Sequence, residues 1–236
     1  EGRLYRHLEV GNGPGDMLLV EIVRIHIDDE NHVLISGDFG KINGYVSPRL
    51  ASINDRGRVY EDFNVGSGPD NTVYHVSKAK DGGIWIGGLF GHYNGTKASH
   101  IAKLKGDGSI DASFDVSNNI VGTVFHVLEV KDGLLVAGDF GLVKLNLNGS
   151  INESFQINDF NGSVYDLTVS DEGKVVAVGA FTEVNGGNYV RVIRLRSNGE
   201  IDQSFNLGAG SDGDVFAVSR MNAGRILIGG LFVTVD

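Results

Sequence analysis

Short apolar runs recur along the chain with glycine-containing turns between them. A Gly-x-Phe step closes such a run at Gly37, Gly88, Gly138, Gly179 and Gly230. These glycines are 51, 50, 41 and 51 residues apart. A second apolar run precedes each step, as Val73-Tyr74-His75-Val76 precedes Gly88. The pattern predicts short β-strands joined by tight turns, arranged in imperfect repeats of about fifty residues.

Two further segments follow each Gly-x-Phe step. The third apolar run reads Ile101-Ala102-Lys103-Leu104 in the second repeat. The fourth segment has a glycine and, six residues later, an aromatic residue, as in Gly108 to Phe114 and Gly199 to Phe205. Four short strands in a meander are the content of one propeller blade, and a one-strand solenoid would have a shorter period. The sequence therefore predicts an all-β, five-bladed β-propeller of four-stranded meander blades.

The two ends of the chain predict how the ring closes. The last repeat stops at Asp236 after a partial third strand, whereas Gly2 to Leu8 keeps the six-residue interval of a fourth strand. An N-terminal strand that completes the last blade would leave no open sheet edge. We expect a single β-propeller domain, residues 1–236, with blades at about 17–67, 68–117, 118–158, 159–209 and 210–236 plus 1–16.

A longer motif is complete in the second and fourth repeats. It comprises Gly88 to Phe90, Asn94-Gly95 and Asp107 to Phe114, and again Gly179 to Phe181, Asn185-Gly186 and Asn198 to Phe205. On these residues the chain resembles the delta-60 repeat family of β-propellers over nearly its whole length. The resemblance implies a part of a large bacterial secreted or surface protein or of a phage tail protein, located extracellularly, at the cell surface or in the virion. It carries over no catalytic residues.

Two repeats depart from this motif and one varies its ending. The third and fifth repeats lack the Asn-Gly pair. The first repeat has Val59-Tyr60-Glu61-Asp62-Phe63 where the motif reads Ile-Asp-x-Ser-Phe. A binding face made from the long loops should therefore lie over blades one, two and four.

Composition and charge narrow the possible partners. A formal net charge of −10 without any run of lysine or arginine argues against a nucleic-acid partner. No apolar stretch approaches the roughly 18 residues of a membrane span, so we expect no membrane insertion. The chain has no cysteine, which excludes disulfides and thiolate metal sites. We expect no metal and no other cofactor.

The connections between the second and third strands form the first candidate site. They are long and rich in Asn, Tyr and His, which suits sugar binding because aromatic rings stack on CH faces and amides bridge hydroxyls. The same composition is also ordinary turn chemistry, since Asn-Gly is first a turn signal. The candidate ligand-binding residues are Asn43, Tyr45, His92, Tyr93, Asn94, Asn185, Asn188 and Tyr189.

The central channel of the predicted propeller forms the second candidate site. One variable position of each innermost strand should lie at a common level around the axis: Arg24, His75, His126, Asp166 and Ala217. The two histidines and the aspartate could hold a metal, or an anion together with Arg24, and they could equally form a solvated lining. Nothing at these spacings shows a base directed at a nucleophile, or paired acids.

These features favour a non-catalytic binding or attachment module of a larger protein. Its expected partners are a cell-surface glycan or protein receptor and other domains or subunits of the parent protein. One alternative is a purely structural spacer or assembly domain. A second alternative is a hydrolase-like enzyme with its site over the central channel.

Overall fold

The computed structural model describes residues 10–11, 21–28, 32–116, 120–156, 158–205 and 208–235. Within these residues the secondary structure consists of β-strands and a short 3₁₀ helix, Asn222–Gly224, so the all-β prediction is confirmed. No helix in the described part of the chain is long and apolar enough to cross a membrane. The chain divides into two compact units, Glu1–Val121 and Gly122–Asp236. The predicted closing strand, Gly2 to Leu8, lies outside the described residues, and the single domain with its blade boundaries stays a prediction.

The first unit contains repeats 1 and 2. Its strands are β1 (Val10–Gly11), β2 (Glu21–Ile27), β3 (Val33–Asp38), β4 (Lys41–Ile42), β5 (Tyr45–Val46), β6 (Leu50–Ile53), β7 (Val73–Lys78), β8 (Ile84–Gly88), β9 (His92–Tyr93), β10 (Thr96–Lys97) and β11 (Ile101–Leu104). The main antiparallel sheets are β2-β3-β6 in repeat 1 and β7-β8-β11 in repeat 2. The shorter strands form hairpins after β3 and β8, and β1 pairs with β4.

The second unit contains repeats 3, 4 and 5. Its strands are β12 (Val124–Val130), β13 (Gly133–Gly138), β14 (Gly141–Leu145), β15 (Val164–Val169), β16 (Val175–Gly179), β17 (Glu183–Val184), β18 (Gly187–Asn188), β19 (Val192–Leu195), β20 (Val215–Arg220) and β21 (Ile226–Gly230). The main sheets are β12-β13-β14, β15-β16-β19 and β20-β21, and β17 pairs with β18. Each repeat thus begins with an antiparallel hairpin, as the spacing of apolar runs predicted.

In repeats 1 to 4 the predicted fourth strand is reduced to a single bridge, so for these four blades that prediction is wrong. The segment after the third strand makes a single antiparallel bridge, such as Leu104↔Ile110 or Leu195↔Ile201. Beyond the bridge, the side chain of Asp111 accepts a hydrogen bond from the Ser113 amide at 3.0 Å, and Asp202 accepts one from the Ser204 amide at 3.1 Å. Such Asx turns take the backbone amide away from a β-ladder, so the Ile-(Asp/Asn)-x-Ser-Phe motif folds as a turn.

A β-bulge at the start of each first strand explains the glycine of the Gly-x-Phe step. The pairing of the first and second strands shifts register once in every repeat, for example between Val73 and His75. The residue opposite the start of the bulge is that glycine, as in Val73↔Gly88. A Cβ at Gly88 would overlap the carbonyl oxygen of Thr72, and the other repeats show the same crowding. The bulge brings two backbones too close for any side chain at this position.

Consecutive repeats of each unit share an apolar core. In the first unit Phe90 and Tyr93 are buried in one cluster with Leu34 and Val76, which come from different repeats. In the second unit Phe181 belongs to a cluster that joins repeats 3 and 4 in the same way. The phenylalanine of the Gly-x-Phe step is therefore a core residue in repeats 2 and 4, and the sheets are held together by packing between neighbouring faces.

Candidate functional site

The loops predicted to bind a ligand are built around three short hairpins, β4–β5, β9–β10 and β17–β18. An Asn-Gly pair forms the turn of each one: Asn43-Gly44, Asn94-Gly95 and Asn185-Gly186. Both residues of the pair have positive φ, which is 49° for Asn94 and 75° for Gly95. Two-residue turns with this backbone match the twist of the flanking strands. The pattern therefore gives compact hairpins rather than irregular loops.

The asparagine side chains of these turns anchor the hairpins to neighbouring backbone. The bonds are Asn43 Nδ2 to Gly57 O at 2.5 Å, Gly68 N to Asn94 Oδ1 at 2.9 Å, and Asp159 N to Asn185 Oδ1 at 2.8 Å. The sequence suggested that the side-chain amides of three residues bind a ligand, but in the structure these amides bond to the backbone. The residues are Asn43, Asn94 and Asn185. Their main role in the geometry is to fix the hairpins.

A second anchor comes from a residue that the sequence pattern did not single out. Asp70 Oδ1 accepts hydrogen bonds from Gly91 N at 2.8 Å and His92 N at 3.1 Å. Asn161 and Asp212 hold the equivalent backbone in repeats 4 and 5. Partial burial works to raise the pKa of Asp70, but the hydrogen bonds and charge of His92 and the Gly91 amide together lower it. The recurring signal is an Asp or Asn three residues before the first strand.

Apart from the turn asparagines, three of the predicted residues are exposed on the hairpins. Tyr45 lies on β5 with its hydroxyl 3.4 Å from Glu61 Oε1. His92 lies on β9 with Nδ1 3.0 Å from Asp70 Oδ2. Asn188 lies at the end of β18. An aromatic ring, an imidazole and an amide are thus presented to solvent on anchored backbone.

Tyr93 is buried, and its prediction as part of an exposed aromatic platform is wrong. Its side chain is 0% exposed, and its hydroxyl donates a hydrogen bond to Gly108 O at 2.5 Å. Burial, with a further contribution from the negative charge of Asp107, raises the pKa of Tyr93. Side chains alternate along a strand, so on β9 His92 faces out where Tyr93 faces in. Tyr189 is half-buried against the core of the second unit, and its hydroxyl accepts a hydrogen bond from Gln203 Nε2 at 3.0 Å.

The predicted channel residues occupy equivalent places, each directly after the bulge of its first strand. In the first unit His75 is buried and Arg24 is half-buried. In the second unit His126 and Asp166 are buried and contact each other through Nδ1 and Oδ1. Asp166 Oδ2 also accepts a hydrogen bond from Val218 N at 2.8 Å, whereas Ala217 is exposed.

These contacts give His126 and Asp166 a structural role, because they join repeats 3, 4 and 5 through one polar chain. His75, His126 and Asp166 are not the solvated side chains that one prediction assumed. Among the described residues no group of three or more His, Asp or Glu side chains is arranged to hold a metal ion.

An aromatic series at the bulges was not predicted from the sequence. Phe125, Tyr165 and Phe216 are the bulged residues of repeats 3, 4 and 5. Their rings contact one another in turn, with centroids 5.3 Å and 5.4 Å apart. Phe216 is exposed at the end of the series. The signal was the aromatic residue that follows valine at the start of these first strands.

Three segments of the chain match the model of the family described as "Domain of unknown function (DUF5122) beta-propeller". They are residues 79–114, 131–155 and 172–205. These segments end at Phe114, Phe155 and Phe205, the aromatic residues that end repeats 2, 3 and 4. No curated protein matches the chain.

Several solved structures are similar in fold. The WD40 β-propeller domain of Doa1 matches with a TM-score of 0.58 and 14% identity, over 87% of this chain and 74% of that one. The extracellular domain of a putative hybrid two component system from B. thetaiotaomicron matches at 0.50 and 14%, over 92% and 32%. PorZ, a bacterial surface component of the type-IX secretion system of Porphyromonas gingivalis, matches at 0.50 and 13%, over 90% and 31%.

The chain spans about a third of the length of the last two of these chains. Identities this low show the fold alone. Together with the recurring sheets, bulges and Gly-x-Phe steps, these matches show that the protein is an all-β protein built from β-propeller repeats.

Proposed function

We propose that this chain is a non-catalytic binding module of a larger surface or phage tail protein, which presents its anchored hairpins to a glycan or protein receptor. The observation that carries this proposal is the presence of exposed Tyr45, His92 and Asn188 on hairpins fixed by side-chain hydrogen bonds. Preorganised loops lose less conformational entropy on binding than flexible ones, so each anchored hairpin suits recognition.

The chemistry of the exposed groups favours a glycan as ligand. Aromatic rings offer apolar faces to sugar CH groups, and the Asn188 amide and the His92 imidazole can hydrogen-bond hydroxyls. The exposed ring of Phe216, at the end of the aromatic series, adds a second apolar contact surface. The hairpins and the aromatic series belong to the same end of their sheets, because the bulge lies opposite the Gly-x-Phe step that precedes the hairpin.

An extracellular or cell-surface location is part of the proposal. It is motivated by the two similar folds from an extracellular domain and from a surface component of a secretion system. A virion location is the alternative within the same proposal, and it rests on the resemblance to phage tail repeats. Other domains or subunits of the parent protein would hold the module in place.

The proposal includes closure of the repeats into a five-bladed ring. Ile25 in repeat 1 is 54% exposed, whereas the equivalent Val76 is fully buried against the preceding repeat. Leu227 in repeat 5 is 60% exposed, whereas the equivalent Leu135 is 2% exposed under the following repeat. Each end repeat therefore carries an apolar face of the kind that a neighbouring repeat covers elsewhere. Deleting residues 1–9 should expose a sheet edge and cause aggregation, and a truncated protein that stays monomeric with an unchanged melting temperature would contradict closure.

A glycan array probed with the wild-type protein and with surface variants tests the binding function. Tyr45→Ala, His92→Ala and Asn188→Ala should each weaken binding while leaving the melting temperature nearly unchanged, because these side chains are exposed. Glu200→Ala, an exposed residue outside the hairpins, is the matched control. Binding that is absent from every glycan and from candidate receptor proteins would favour the structural spacer. Hydrolysis of a bound glycan would favour the enzyme instead.

A further inference from the structure

Grooves of one kind lie between consecutive repeats, beside the turns that join first and second strands. Groove A lies between repeats 1 and 2, groove B between repeats 3 and 4, and groove C between repeats 4 and 5, with volumes of about 410, 760 and 290 Å³. They occupy the opposite end of the strands from the anchored hairpins. The same positions line each groove: Leu34, Phe63 and Ser52 in groove A, Leu135, Phe155 and Lys144 in groove B, and Val176, Phe205 and Arg194 in groove C.

Grooves B and C contain a built-in cation from the third strand. Lys144 Nζ lies 5.7 Å from the centroid of the Phe155 ring and 2.7 Å from Asp132 Oδ2. The Arg194 guanidinium lies 4.5 Å from the centroid of the Phe205 ring, with Nε 2.8 Å from Asp202 Oδ2. A cation over an aromatic face and beside a carboxylate is a favourable pairing, so the surroundings at this point of the repeat suit a positive charge.

Groove A lacks this cation, because Ser52 occupies the position of Lys144 and Arg194. The single bridges after the third strands fix the equivalence, with Ile53↔Val59 matching Leu195↔Ile201. Ser52 is buried and too short to reach across the ring of Phe63. The motif after the bridge is also altered, since Asp62 takes the position of Ser204. The first repeat therefore has no positive charge at this position, and its motif carries a carboxylate at Asp62 where repeats 3 and 4 have serine, with Tyr60 at the position of Asp202.

The remaining charges of groove A leave two carboxylates available. Asp28 is already satisfied, with Lys78 Nζ at 3.5 Å and with His32 N at 2.8 Å and His32 Nδ1 at 3.1 Å. Asp62 and Asp107 line the groove and form no ion pair with any residue that the structure describes. Hydrogen bonds from Ser109 lower the pKa of Asp107, so this carboxylate stays charged at neutral pH.

We propose that groove A is a binding site for an alkylammonium or alkylguanidinium group. The cationic head would lie near Asp62 and Asp107, and its alkyl chain would pass over Phe63 and Tyr60, as the side chain of Lys144 passes over Phe155 in groove B. Two observations support this site independently: the negative, aromatic-floored cavity itself, and the cation that the equivalent position holds in grooves B and C. A lysine or arginine side chain of a partner protein and a small free amine share this chemistry.

The first experiment compares n-butylammonium with n-butanol, which has the same alkyl body without the charge. Amide NMR shifts should change saturably at Ser52, Tyr60 and Asp107 with n-butylammonium, and n-butanol should have little effect. Spermidine and a capped Gly-Lys-Gly peptide then distinguish the two sources, since tighter binding of the peptide indicates a protein partner. Equal shifts with n-butanol, or shifts spread over all surface carboxylates, would overturn the site.

Variants that copy residues of the other repeats make the test specific. Ser52→Lys supplies the missing cation and should weaken n-butylammonium binding about tenfold or more, because like charges repel. Asp62→Ser and Asp107→Asn install the residues that repeat 4 carries as Ser204 and Asn198, so the fold should be kept while binding weakens about two- to fivefold each. Asp55→Asn, an exposed carboxylate away from the groove, is the control.

Groove B offers the converse experiment. Lys144→Ser should open a second site over Phe155, and n-butylammonium should then raise the melting temperature of the variant more than that of the wild type. If Ser52→Lys binds n-butylammonium as well as the wild type does, or if the double variant Asp62→Ser/Asp107→Asn loses no affinity, the proposal is wrong.

Discussion

The buried hydroxyl of Tyr93 gives the sharpest test of the structure. It donates a hydrogen bond to Gly108 O at 2.5 Å from a side chain with no exposed surface. Tyr93→Phe removes the hydroxyl, so the buried carbonyl oxygen of Gly108 loses this hydrogen bond. Loss of one buried partner of this kind costs about 1–2 kcal/mol of the free energy of unfolding. Tyr93→Ala also removes the ring and should cost about 3–5 kcal/mol.

Urea unfolding followed by tryptophan fluorescence measures this effect. Trp85 is the single tryptophan of the chain, and it is buried in the same repeat as Tyr93. Tyr93→Phe should lower the unfolding midpoint without changing the binding of any ligand. Tyr45→Phe is the matched control, since the hydroxyl of Tyr45 is exposed and its substitution should change the free energy by less than about 0.5 kcal/mol.

The pH dependence of the same group supplies an independent check. Burial raises the pKa of Tyr93 in the folded protein, so the neutral phenol is favoured there. Its contribution to stability is fully present below the usual tyrosine pKa of about 10 and is lost as pH rises above it. Phenolate absorbance should therefore show one tyrosine that titrates only when the protein unfolds. The structure would be refuted by a Tyr93→Phe variant that is as stable as the wild type yet binds its ligand less well.

Three further substitutions test the contact between repeats 4 and 5, the β-bulge and the turn after the third strand. Asp166→Ala removes the buried carboxylate that contacts His126 and accepts a hydrogen bond from the Val218 amide, and it should cost about 3–5 kcal/mol in urea unfolding followed by circular dichroism, with Asp166→Asn costing less. Gly88→Ala should lower the melting temperature markedly, because its Cβ would overlap the Thr72 carbonyl oxygen, whereas Gly95→Ala has open space and should cost less. Hydrogen bonds from Ser204, helped by Arg194, lower the pKa of Asp202. Stability from Asp202 should therefore be present above about pH 4 and be lost as pH falls, and acid unfolding of Asp202→Asn should show a smaller loss.

The repeated scaffold could be predicted from the sequence because its signals are local. The apolar runs of β7 and β8 and the turn between them follow from strand periodicity and turn chemistry within about fifteen residues. The Asn-Gly turns follow equally from the preference of these residues for positive φ. The apolar runs and the Asn-Gly pairs each determine a local backbone conformation, and this conformation is the same in the repeats that share the pattern.

The site was harder to predict because its geometry depends on contacts between distant segments. On β9, Asp70 holds the amides of Gly91 and His92 from about twenty residues away, while Tyr93 packs into a core formed by two repeats. Sequence composition alone could not distinguish His92 from Tyr93. The prediction of a fourth strand was wrong for a related reason. The Asp111 side chain accepts the hydrogen bond of the Ser113 amide, which a β-ladder would otherwise use, and the spacing of apolar residues carries no information about this bond.

The differences between repeats carry more functional information than their shared residues. Gly88, Asp111 and Phe181 are explained by a bulge, a turn and a core; every repeat has the glycine, and Asn152 and Asp202 make the same turn as Asp111. Where one repeat has a different residue at an equivalent position, and that residue does not make the contact found in the other repeats, the fold does not require it. Ser52 fits this description, because it removes a cation that two sibling grooves retain, and Asp62 adds a charge where they carry serine. Selection for stability would favour restoring the lysine, so a gain in melting temperature for Ser52→Lys together with loss of amine binding would show that the first repeat keeps this groove open for a ligand.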